Sequence, residues 1–122
     1  MSSHKSLLVW NRSIAMVKAL YLITQKFPSC ELYGITSQMR RAAISIPSNI
    51  AEGYARAHDK ELLHFLYISL GSASELETQL IICKEIGYLT EGQYVELDRM
   101  NSEIMKMLTS LINNKKKAIT PP

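Results

Sequence analysis

Apolar residues recur every three or four positions along almost the whole of this chain, and few turn residues interrupt them. From residue 5 to 26, Leu7, Trp10, Ile14, Val17 and Tyr21 share one helical face, which Leu8, Leu20 and Ile23 widen. Phe27-Pro28 closes that helix, because a residue before proline is pushed out of the helical region. Residues 28 to 36 read as a loop containing Gly34, with Thr36 or Ser37 as the N-cap of a second helix running from about 37 to 56. Asp59 is the expected cap of a third, residues 59 to 87, with Glu61 in its first turn and Gly87 at its end. Thr90 or Glu91 starts a fourth, residues 91 to 113, on a narrow seam of Tyr94, Leu97, Met100, Ile104, Met107 or Leu108, and Leu111. Residues 114 to 122 carry no such pattern and are expected to fray.

Four amphipathic helices on short loops pack most simply as an all-α, antiparallel up-down-up-down four-helix bundle. The length suits a single domain over residues 1–122: with five Gly, four Pro and a 47% hydrophobic fraction, 122 residues build one core and are too few for two. Cys30 and Cys83 stand far apart without CxxC or metal-ligand spacing, so they are expected to be reduced, as in a cytoplasmic protein. No apolar run approaches the roughly 18 residues that cross a bilayer, so no membrane partner is expected. The first thirty residues lack Asp and Glu, as transit peptides do, but their helical apolar stripe marks a genuine first helix.

The stretch RRAAISIPSNIAEGYAR, residues 40 to 56, places Pro47 inside the second helix, where it removes a backbone bond at a cost of roughly 3 kcal/mol. Two arrangements accommodate it. The helix can continue with a kink, Ser45 or Ser48 compensating the Ala43 carbonyl; or it can break and restart on an Asn49-x-x-Glu52 capping box. The kink is the preferred reading. A turn near residues 57 and 58 makes antiparallel partners sum to about 115, so Ile44 meets Gly71 and Ala42 meets Ala73. Close approach at GSAS, residues 71 to 74, would then explain Gly71, and Arg40 or Arg41 should pair with Glu75 or Glu77.

Two surface features bear on function. Between Leu62 and Leu70 the chain reads LLHFLYISL, and Leu80 to Cys83 repeats the apolar excess, more than one bundle stripe can bury. Self-association through Leu63, Tyr67, Ile68, Ile81 and Ile82 would cover it. Charge is also uneven: residues 1 to 57 hold seven basic against two acidic side chains, and the remainder seven against nine. Lys5, Arg12 and Lys26 fall within about 60° of one another on a continuous helix, a stripe suited to a phosphate backbone. Lys18, Arg56 and the run Lys115, Lys116 and Lys117 are further candidates for nucleic-acid contact.

Catalytic signatures are missing: the chain has no GxSxG, HExxH, P-loop or GxGxxG. His58 and His64 lie about 120° apart on a helix with no cysteine nearby, which does not make a metal site. Glu52, Glu75 and Glu77 beside Arg41 are better read as ion-paired structural groups, because di-iron bundles need Glu-x-x-His pairs on two helices. Neither a catalytic residue nor a cofactor is expected.

The segments IPSNIAEGYAR and LHFLYISLGSASELETQL, with LVWNRSIAMVKALYLITQKFP, ELYGIT and EIGYL, resemble the bacterial four-helix bundle family also called 23S rRNA intervening-sequence proteins. The resemblance implies an antiparallel bundle assembled in pentameric rings. Some members are encoded within intervening sequences of large-subunit ribosomal RNA genes. A distant relative, the accessory variability protein of diversity-generating retroelements, works with a reverse transcriptase and RNA. Arg41, Pro47, Asn49, Glu52, Gly53, Arg56, Gly71, Ser72 and Glu75 carry the family pattern. The expectation is a non-enzymatic homo-oligomeric bundle that binds RNA, or a nucleic-acid-associated partner, through basic helix-one surfaces; the alternative is a protein-interaction scaffold without nucleic-acid affinity.

Overall fold

The computed structural model describes residues 3–119 and contains four α-helices: α1, Leu8–Thr24; α2, Ile35–Tyr54; α3, Asp59–Glu85; and α4, Glu91–Ile119. Single 3-10 turns at His4–Ser6 and Ser29–Glu31 precede α1 and α2. Each helix packs against its neighbours in sequence and α4 returns to α1, so the four stand in a square. Among the described residues there is no strand, and no helix is long and apolar enough to cross a membrane.

Turn chemistry explains the boundaries. Gly34 (φ −110°, ψ −122°) passes the chain from the 3-10 turn into α2, and its carbonyl accepts the first helical bond, from Gln38. Thr36 is therefore buried inside the helix rather than capping it, and α2 begins earlier than the Thr36 or Ser37 cap implied. Asp59 likewise is the first residue of α3 and not its cap, which is His58; Asp59 and Glu61 favour the macrodipole from the first turn. Gly87, at φ 83°, ends α3 in a Schellman arrangement, with Gly87 N–H donating to Lys84 C=O and Tyr88 N–H to Cys83 C=O. Thr90 and Gln93 then form a reciprocal capping box, each side chain accepting from the other's backbone N–H at 3.1 and 3.0 Å.

One expectation at the C-terminus is corrected. The fourth helix does not end at residue 113: α4 runs through Lys115, Lys116 and Lys117 to Ile119, with positive charge in the last turn, where the dipole favours it. Residues 120–122 of the expected tail lie outside the described residues.

Pairs between α2 and α3 climb in number on one helix as they fall on the other. Between α2 and α3, Ser45 and Ser72 share a hydroxyl bond of 2.8 Å, and Ser69 Oγ donates to the Ile46 carbonyl at 2.9 Å. This is the antiparallel register that a turn near residues 57 and 58 requires. Asn101 Nδ2 donates to the Ala73 carbonyl at 2.9 Å between α4 and α3, and Arg12 meets Glu103 at 3.0 Å between α1 and α4. Met16, Leu20, Met39, Ile46, Leu66 and Leu80 fill the centre, and fully buried Asn101 interrupts the apolar seam of α4.

α2 is continuous through Pro47, which is buried, so the break-and-restart reading does not hold. Asn49 is not a cap. Its Nδ2 donates to the Ser45 carbonyl and hydroxyl, both at 2.8 Å. Ser45 is thus engaged with Ser72 and Asn49 rather than with the Ala43 carbonyl. The helix is supported at this point from outside, by the Ser69 hydroxyl on the Ile46 carbonyl.

The glycine that permits close helix approach is Gly53, not Gly71. A Cβ built on Gly53 would lie 2.9 Å from Leu62 Cδ1 and 3.0 Å from Phe65 Cβ, whereas one on Gly71 meets nothing within 4 Å. Gly71 is exposed on the outer face of α3, and the seam at residues 71 to 74 is closed by Ser72 and Ala73. In urea denaturation, Gly53→Ala is expected to destabilise by about 1–3 kcal/mol through overpacking. Gly71→Ala should stabilise the monomer by about 1 kcal/mol.

Candidate nucleic-acid interface

Arg40 leaves α2 toward α1. Its Nε donates to Thr24 Oγ1 at 3.0 Å, its Nη2 makes a longer 3.5 Å contact to the Tyr21 carbonyl, and its guanidinium lies 4.3 Å from the centre of the Tyr21 ring. Thr24 is itself fixed, donating its hydroxyl to the Leu20 carbonyl at 2.8 Å. Arg40 is therefore held by a hydroxyl, a carbonyl and a ring face, without a carboxylate. The expected pairing of Arg40 or Arg41 with Glu75 or Glu77 is absent among the described residues. The physical reason is helix rotation: Arg40 lies on the α1 edge of α2, while the Glu75 carboxylate accepts from Gln79 at 3.1 Å.

Beside Arg40 lies an open groove of about 640 Å³. α2 supplies its base with Ile44, Ser45, Ser48 and Asn49, α1 contributes Tyr21, and Arg41 stands exposed at the rim. The loop before α2 closes the far side with Leu32 and Tyr33, and among the described residues no carboxylate lines the groove. That loop is braced from the opposite side. Tyr88 Oη donates to Glu31 Oε2 at 2.8 Å, and the Tyr88 and Phe27 rings stand 5.4 Å apart. The hydrogen bond to Glu31, and then burial, push the Tyr88 phenol above its ordinary pKa. Burial, with the Glu31 charge second, pushes the Cys83 thiol up to about 11. Cys83 Sγ contacts Met39 Sδ at 3.4 Å, Cys30 is exposed on the loop, and both thiols are free. At the other end of α2, burial and then the charge of Asp59 raise the Tyr54 pKa.

The structure brings only Arg41 and Asn49 of the expected site residues to this groove. Lys5 belongs to the 3-10 turn and Lys26 lies beyond the end of α1, so Lys5, Arg12 and Lys26 do not form one helical stripe. Arg12 is ion-paired with Glu103, which also takes Arg99 at 3.6 Å. Arg56 pairs with Glu52 one turn back and lies 5.0 Å from the centre of the Phe65 ring. Lys18 is exposed on α1, one turn before Tyr21. Lys115, Lys116 and Lys117 lie toward the C-terminal end of α4. Sequence reasoning passed over Tyr21, Tyr33 and Arg40 as a group. Tyr33 beside Gly34 was the available signal, but the bracing by Tyr88 has none.

The outer face of α3 carries the other expected residues. Tyr67, Ile68, Ile81 and Ile82 are exposed, while Leu63 is half-buried against the core. Between the two apolar pairs the helix turns outward only Gly71, Ser74, Glu75 and Thr78. Among the described residues, no group of three or more His, Cys, Asp or Glu side chains converges.

These features define an all-α four-helix bundle with one groove lined by arginine and tyrosine and one outer helix face rich in apolar side chains, with Glu75 as the exposed charge between them. The chain belongs to the 23S rRNA-intervening sequence protein family, whose model matches residues 5–110. It is similar to a solved protein of unknown function from the S23 ribosomal protein family of Bacteroides thetaiotaomicron, at 26% identity and a TM-score of 0.78, over 86% of this chain and 98% of that one. Among curated proteins nothing matches.

Substituting the two arginines separates their roles. Arg40→Lys should lower stability by about 1 kcal/mol or more, losing the fixed Nε bond and the ring contact. Arg41→Lys, at an exposed and unpaired position, should stay within about 0.5 kcal/mol of the parent in the same denaturation measurement.

Proposed function

We propose that this protein is a non-enzymatic, homo-oligomeric accessory factor that assembles through the outer face of α3 and contacts RNA through the cationic α1–α2 side. One observation carries the RNA reading. Of the cations in residues 3–57, Lys5, Lys18, Lys26, Arg40 and Arg41 have no carboxylate partner among the described residues, and of the two carboxylates there Glu52 is paired with Arg56 and Glu31 is bound by Tyr88. The α1–α2 side is thereby left with positive charge uncompensated by its own carboxylates. A net charge of +3 per chain is modest for phosphate binding, and assembly multiplies it. The name of the family, which refers to 23S rRNA, supports the same reading.

Self-association rests on the exposed Tyr67, Ile68, Ile81 and Ile82, an apolar excess on a helix whose other side already fills the core. The pentameric ring implied by the resemblance is the assembly we propose, working in a reducing cytoplasm where Cys30 and Cys83 stay free. Light scattering behind size-exclusion chromatography should show a multiple of 13.8 kDa for the wild type and the monomer mass for Tyr67→Glu. Equilibrium binding to RNA should weaken linearly in log K against log salt for the wild-type assembly. An assembly with no salt-dependent RNA affinity would leave the protein-interaction scaffold as the reading; a wild-type monomer would remove the ring.

A further inference from the structure

We propose that the groove between α1, α2 and the loop at residues 28–34 holds an unpaired stretch of RNA, with one base stacked on Tyr33 and the adjoining phosphate on Arg41. This rests on the RNA reading above and adds which form of RNA is bound and where. Tyr33 is 93% exposed, yet it sits on a loop pinned by the Tyr88–Glu31 hydrogen bond and the Phe27–Tyr88 contact. An exposed ring on a braced loop offers a stacking face whose backbone is already in place. Its neighbours suit the same ligand. Leu32 and Ile44, both exposed, provide apolar contact for a flat base, and Arg41 provides a charge that no carboxylate among the described residues neutralises.

Part of the remaining lining is polar and unspent. Among the described residues, the Ser37 and Ser48 hydroxyls and the Arg40 Nη1 make no hydrogen bond to the protein. Arg40 itself is oriented in advance by Tyr21 and Thr24, so ordering it costs nothing on binding. Hydroxyls and guanidinium nitrogens are the donors that base edges, 2′-hydroxyls and phosphates accept. A volume of about 640 Å³ accommodates nucleotide-sized ligands. Duplex RNA presents its phosphates and 2′-hydroxyls but keeps its base faces stacked within the helix, so it would use the arginines and leave Tyr33 unused.

The test uses the assembled full-length protein, a short unstructured RNA and a duplex of equal length, with affinity read by fluorescence anisotropy across a salt series. The wild type should prefer the unstructured strand by about tenfold or more. Tyr33→Ala should abolish most of that preference while leaving duplex affinity and the salt slope unchanged, and Tyr33→Phe should retain it. Arg41→Gln should weaken both RNAs and reduce the salt slope by about one. Light scattering confirms that each variant keeps the parent assembly. If RNA is bound with the expected salt dependence but Tyr33→Ala matches the wild type on both RNAs, the groove assignment is overturned and the RNA reading stands. If neither RNA is bound in a salt-dependent way, both fall. Displacement by a mononucleotide as effective as by the oligonucleotide would overturn the strand and assign a free nucleotide instead.

Discussion

The seam between α2 and α3 around Pro47 is the contact on which the rest of the molecule depends. A proline in the middle of a long helix leaves one turn without its own hydrogen bond, and α2 nonetheless runs unbroken from Ile35 to Tyr54. The facing helix fastens it at this point without replacing the bond lost at the Ala43 carbonyl: Ser69 donates to the Ile46 carbonyl, and Ser45, Asn49 and Ser72 form a compact hydroxyl and amide network beside it. Small residues on both sides allow the backbones to come close enough for these bonds. Ala42, Ala43 and Ala73 are buried there, and Gly53 lets Leu62 and Phe65 pack against the last turn of α2.

That seam fixes the rotation of α2, and rotation decides what each surface can do. With one edge of α2 committed to α3 and Pro47 buried in a crevice shared with Trp10 and Ile14 of α1, the outward residues are Gln38, Arg41, Ile44, Ser48 and Glu52. Arg40 is carried toward Tyr21 and Thr24 instead of toward a carboxylate. On α3, the residues pointing away from the seam are the apolar Tyr67, Ile68, Ile81 and Ile82 with little charge between them. The division into a cationic α1–α2 side and a largely apolar α3 face thus follows from how two helices pack.

The helices and their antiparallel register were legible because their signals are local. Phe27-Pro28, Gly87 and the helix start at Thr90 or Glu91 are read from adjacent residues, and a short turn between α2 and α3 leaves one register for their small residues. What failed required knowledge across helices. Summed positions place Arg40 and Arg41 opposite Glu75 and Glu77, but they do not say which edge of α2 a side chain leaves from. The basic stripe assumed one helix through residues 5 to 26, whereas Lys5 and Lys26 lie outside α1 and Glu103 of α4 claims Arg12. The groove depends on Tyr88 reaching Glu31 across 57 positions of sequence, a contact with no periodic signature. Gly71 is a different case. Its open surroundings in the single chain give it no packing role within the bundle, and it lies on the face assigned to assembly.

The central claim is that one helix pair presents the RNA surface while α3 presents the assembly surface. Amide hydrogen exchange on the assembled protein, with and without unstructured RNA, tests it directly. The account predicts new protection within residues 32–49 on adding RNA and no change along Tyr67 to Ile82. Protection by RNA along Tyr67 to Ile82, with residues 32–49 unaffected, would contradict it.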